Sequence, residues 1–149
     1  MNKATFLKTA ITSRLMQLYY HNCHHLTQGA SFFSDHEFFG SAYGAMDGAY
    51  DRLAERYIGE FGNKAFETVT IAKVVMGEVT DYQVEDMCCC DMLETGLKLE
   101  QRLSSELTAL DKVAPIGLRN LIGDLAEQSD IRQYKIKQRL AEHKDKDDK

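Results

Sequence analysis

A single proline, Pro115, interrupts the 149 residues of this chain. Proline is the residue that most firmly ends a helix, and the long runs here are of Leu, Ala, Glu, Lys and Gln, which lose little on entering one. Helix is therefore favoured over sheet throughout, and the expected fold class is all-α. With 44% hydrophobic residues the chain can bury one sizeable core, so a single domain over residues 1–149 follows.

Apolar spacing divides the chain into four long helices. The first covers residues 5–28, where Phe6, Ala10, Ile11, Leu15, Leu18 and Tyr19 recur at three- and four-residue steps. Gly29 stands at its C′ position, and Ser34-Asp35-His36-Glu37 has the form of a capping box, which starts the second helix at about Asp35. That helix runs to about Glu60, with Gly62 as its stop signal. Inside it Gly40, Gly44 and Gly48 recur every fourth residue. Each costs about 1 kcal/mol against Ala, a loss that close approach of another helix would offset. The approaching helix is either a neighbour in the same bundle or the two-fold mate of this one. Asp47, Asp51, Arg52, Glu55 and Arg56 exclude a bilayer around the stripe.

Residues 61–81 form a connection too long for a structureless loop, and Ala65, Phe66, Val69, Ile71, Val74 and Val75 predict a short helix within it. The third helix is expected over 82–112. Pro115 is placed as the first residue of the fourth, which ends at about Glu142. The remainder, 143–149, alternates in charge and is expected to be disordered.

Chemistry concentrates between residues 21 and 55. His21, His24, His25 and His36 gather around the junction of the first two helices, and Asp51 and Glu55 follow, four apart on the second. These are metal-ligand types. On one helix, however, His36 and Asp51 lie about 22 Å apart, so one ion cannot touch both. If all four of His24, His36, Asp51 and Glu55 serve one site, the histidines come from one chain and the carboxylates from another. An antiparallel two-fold pair would create that site twice, which predicts an obligate oligomer.

The run from His24 through Gly29 and Phe32 to His36, followed by Asp51-x-x-Ala54-Glu55-Arg56, resembles the signature of the Dps family, the DNA-binding proteins from starved cells, or miniferritins. Beyond that run, the chain is similar to the family in length and helix order. The resemblance implies a ferritin-like four-helix bundle with a short extra helix between the second and third helices, assembled as a hollow dodecamer that oxidises and stores iron. It matches His24 and His36 to the ferroxidase histidines, and Asp51 and Glu55 to the carboxylates of the two-fold partner. Two positions depart from the family pattern: His25 stands where Trp is usual, and Gly40 where an Asp or Glu is usual. Water, Glu37 or Asp47 would then complete the iron site.

Other features set the alternatives. A net charge of −5 argues against a surface made wholly for nucleic acid and is compatible with an acidic, iron-attracting interior. Lys3 and Lys8 make a thin N-terminal arm, and Lys144, Lys146 and Lys149 are offset by Asp145, Asp147 and Asp148, so DNA binding is expected to be weak or absent. Asp124, Glu127 and Asp130 read either as a solvated face or as an iron-drawing group near a three-fold axis. Cys88, Cys89 and Cys90 point about 100° apart on a helix and read, with Cys23, as thiols in a reducing compartment. The N-terminus has no sustained apolar run, so neither signal peptide nor membrane span is expected and a cytoplasmic location follows. The leading expectation is a ferroxidase using hydrogen peroxide or dioxygen, with Zn²⁺ as a competitor. A structural or DNA-coating shell with a decayed metal site is the alternative, and a Zn²⁺ or Cu²⁺ site at His21, His24 and His25 is a third.

Overall fold

The computed structural model describes residues 2–63 and 66–147, so Ala65 of the apolar connection and the last two residues of the charged tail lie outside it. Among the described residues five α-helices account for most of the structure: α1 (Lys3–Leu26), α2 (Phe32–Phe61), α3 (Thr68–Val79), α4 (Cys89–Asp111) and α5 (Ile116–Asp147). The four long ones form the expected bundle, and α3 is the expected short helix in the middle connection, followed by a 3₁₀ turn at Thr80–Tyr82. α1 packs chiefly on α2 and α4 on α5, while α1 joins the two pairs through α4 and carries α3. No described helix is long and apolar enough to cross a membrane.

Local chemistry explains the helix ends, and several differ from expectation. The Asn2 side chain accepts the amides of Ala4 and Thr5, which starts α1 two residues early. It ends at Leu26, where the Thr27 amide donates to the Cys23 carbonyl. Gly29, at φ +102°, therefore turns the chain within the loop instead of serving as C′ residue. α2 starts at Phe32, and the capping box does not form: the Ser34 hydroxyl donates to the Ser31 carbonyl. Asp35, one turn inside α2, is buried because its carboxylate receives Arg139 of α5 in a bidentate pair at 3.0 and 3.2 Å. Gly62 does stop α2, at φ +88°.

α4 begins at Cys89, not 82. Val84 is sunk in the core, the Met87 amide closes a turn onto the Val84 carbonyl, and the Cys88 thiol caps the helix by accepting the Asp91 amide at 3.4 Å. Pro115 sits just before α5, and its carbonyl accepts the Leu118 and Arg119 amides. α5 continues to Asp147, past the expected end at Glu142, so most of the segment expected to be disordered is helical.

Tyr19, Tyr20, Phe39, Leu53, Leu99, Leu103 and their neighbours fill the core. The most deeply buried ionic group lies inside it. Glu100, fully buried, accepts from Tyr20 at 2.7 Å, from Ser129 at 2.6 Å, and from Arg132 at 2.6 and 3.1 Å, tying α4 to α1 and α5. Gly96 is needed here, since a Cβ would meet the Tyr20 ring at 3.2 Å. The α2 stripe behaves otherwise: a Cβ at Gly44 or Gly48 would meet nothing within 4 Å. Packing inside the bundle therefore does not account for those two glycines.

Candidate metal centre

The α1–α2 turn brings His24, in the last turn of α1, against His36, in the first turns of α2. Their rings stack with centroids 3.7 Å apart. Each is held by the backbone of the other's helix: His24 Nδ1 lies 2.9 Å from the His36 carbonyl oxygen, and His36 Nδ1 lies 2.8 Å from the His24 carbonyl oxygen. A carbonyl oxygen has no proton to give, so both rings must donate from Nδ1. In the neutral imidazoles Nε2 then carries the lone pair, the arrangement by which a backbone carbonyl orients a metal-ligating histidine. Phe32 also stacks on His36, with ring centroids 4.9 Å apart.

Gly40 belongs to this packing. A Cβ there would stand 3.0 Å from His24 Nδ1 and 3.1 Å from Cε1, so the glycine leaves the space that the His24 ring occupies. The sequence reads position 40 both as a missing carboxylate and as part of a glycine stripe that invites close helix approach, and here the second reading holds, with His24 of α1 as the approaching group. Of the two carboxylates considered as substitutes, Asp47 is paired with Arg14 at 3.0 Å, and Glu37 is exposed.

Asp51 and Glu55 lie on the exposed side of the same continuous helix and take part in no ion pair among the described residues. By helix rise Asp51 is about 22 Å from His36, so one chain keeps the imidazoles and the carboxylates apart. Among the described residues no group of three or more His, Cys, Asp and Glu side chains is arranged to hold a metal ion. Glu55 lines a cleft of about 350 Å³ with Arg52, Arg56, Asn120 and Leu121. One chain therefore holds the two imidazoles at the α1–α2 turn and the two carboxylates farther along α2, and does not bring them together.

The cluster of His21, His24 and His25 does not close around one point. His21 and His25 stand 4.5 Å apart between ring centroids and His24 and His25 5.5 Å, with the rings tilted to one another. Tyr43 of α2 enters instead, 4.3 Å from His21 and 5.3 Å from His24. Partial burial, and then His25 and His24, push the His21 imidazole below its ordinary range. Tyr43 carried no signal as a site residue in the sequence, because its neighbours come from another helix.

Elsewhere, Asp124 is bound by Arg52 at 2.6 Å, which holds its carboxyl below the usual range, while Glu127 and Asp130 are exposed. The cysteines are unbridged. Burial, with Cys89 and Cys88 adjoining, raises the Cys90 thiol to about 11, and burial raises Cys23 to about 12.

No family model matches the chain. The nutrient stress-induced DNA-binding protein of Synechococcus sp. is 32% identical to it over 143 residues, spanning 91% of this chain and 78% of the relative. Among solved structures, Dps from Thermosynechococcus elongatus matches with a TM-score of 0.79 over 93% of this chain and 88% of that one, at 20% identity, a likeness of fold.

Proposed function

Because the chain belongs to the Dps family, we propose that it is a cytoplasmic ferroxidase and iron store, a hollow dodecamer in which Fe²⁺ is the substrate. The observation that carries this reading is the pair of stacked imidazoles with both Nδ1 atoms engaged and both Nε2 atoms left to bind. His24 and His36 of one subunit hold Fe²⁺ together with Asp51 and Glu55 of the two-fold partner. Neutral nitrogen and carboxylate oxygen suit Fe²⁺ and leave positions open for an oxidant. Two ferrous ions then give one electron each to a peroxide, the O–O bond breaks, and two protons complete two waters. The ferric product passes to the interior as mineral, with Zn²⁺ competing for the same donors.

The exposed, unpaired state of Asp51 and Glu55 supports the split site, since each carboxylate is free to face another copy. Mixing Fe²⁺ with hydrogen peroxide and the full chain is expected to give ferric absorbance and an electron-dense core. His24→Ala/His36→Ala is expected to lower the initial rate by more than about tenfold, consistent with loss of both nitrogen donors. An unchanged rate in that variant overturns the reading.

The relative's name as a DNA-binding protein favours a second reading, a shell that coats DNA. The net charge of −5 weighs against it. Retardation of DNA without iron oxidation would favour that reading, and steep weakening by salt would assign it to the lysines.

A further inference from the structure

The α1–α2 side of the centre presents nitrogen donors and no bound carboxylate. A ferric ion is harder than a ferrous one and calls for anionic oxygen. Beyond the two carboxylates that the two-fold partner would bring, the acids nearest the histidines in their own chain are already committed or face elsewhere. Asp35 is buried against Arg139, Asp47 is held by Arg14, and Glu37, next to His36 in the chain, points about 100° away from it around the helix.

Tyr43 is placed differently. It lies seven residues beyond His36, two helical turns along the same face of α2. Side chains on a helix lean toward its N-terminus, so the phenol of Tyr43 extends toward the turn that carries Gly40. The His24 ring rests on that glycine, 3.0 Å from where a Cβ would be, and the Tyr43 ring meets the His24 ring edge-on at 5.3 Å. Glycine at 40 thus leaves the space that the His24 ring occupies, and that ring is what brings His24 to Tyr43. The Tyr43 hydroxyl has no hydrogen-bond partner among the described residues. The ring is also braced by His21 at 4.3 Å.

Resting on the ferroxidase reading, we propose that Tyr43 supplies an oxygen ligand to the ferric product beside His24 and His36. The phenol gives its proton to solvent as the oxygen–iron bond forms, and no electron is transferred in the step. Ferric iron accepts tyrosinate in other protein settings, haem catalases among them.

The test adds Fe³⁺ as its nitrilotriacetate complex to the full chain and records visible absorption with protein-bound iron measured on the same sample. Wild type is expected to show a broad phenolate-to-iron charge-transfer band. Tyr43→Phe, which keeps the ring against His24 and His21, is expected to lose it, and Tyr134→Phe, at an exposed tyrosine on α5, to keep it. Bound iron that depends on His24 and His36 but shows no band, or a band that survives in Tyr43→Phe, overturns the role of Tyr43 and leaves the ferroxidase reading standing. Iron retention by wild type that is indifferent to His24→Ala/His36→Ala overturns both.

Discussion

Glu106 shows how much a single buried acid can shape the response to pH. It lies on α4 facing Lys8 of α1 at 3.8 Å and Arg102 of its own helix at 3.1 Å, and Arg102 also reaches Glu78 of α3 at 2.9 Å. Oε2 of Glu106 is buried without a hydrogen-bond partner. Burial raises its carboxyl above the ordinary value, against the pull of Arg102 and Lys8. An acid with a raised folded value contributes its stability below the unfolded value, and that contribution is lost as pH rises through the folded one. Glu106→Gln is therefore expected to melt above wild type at neutral pH, with the gap closing on acidification below the ordinary carboxylate range; thermal melts across pH check it. An opposite trend would show that the two cations outweigh burial. At this scale the candidate metal ligands are named by the sequence, because types and spacing at His24, His36, Asp51 and Glu55 form a pattern, and the fold brings together His24 and His36 of the four. The bonds from Nδ1 to backbone carbonyls are not legible there, since a carbonyl has no residue identity. Nor is the fate of Asp35, whose partner Arg139 is 104 positions away and outside any local motif.

Among the helices, the buried Glu100–Arg132 pair between α4 and α5 is the contact with most at stake. Its two members are 0% and 8% exposed in their side chains. Removing one partner leaves an uncompensated charge inside the bundle, so Arg132→Met is expected to lose about 3–5 kcal/mol in urea unfolding. Glu100→Gln/Arg132→Met should recover most of that, because no naked charge remains and the amide still accepts from Tyr20. Equal losses in both variants would mean the pair acts through shape alone. The helices themselves were legible from apolar spacing and from Gly62. The start of α4 was not: residues 82–88 keep the apolar rhythm of a helix, but a buried Val84 and a thiol cap at Cys88 draw them into a turn. Tertiary burial overrode local propensity there.

For the molecule as a whole, the proposed sharing of ligands between two subunits would make activity a property of pairs. Subunits of His24→Ala/His36→Ala retain the acids, and subunits of Asp51→Asn/Glu55→Gln retain the imidazoles. Co-assembled in equal amounts from unfolded chains, they are expected to restore about a quarter of the wild-type sites, since half the two-fold pairs are mixed and each mixed pair has one intact site. Initial rates of ferric formation read this directly, and no recovery above either parent would place all ligands in one chain. The reciprocal grip of His24 and His36 on each other's main chain bears on how such a pair would work. Each ring is anchored to the main chain of the other's helix, whatever the other ring does, so both donors are set before a cation arrives and its capture requires no induced fit. Fraying of the short segment between α1 and α2 would disarm both donors in one cooperative event.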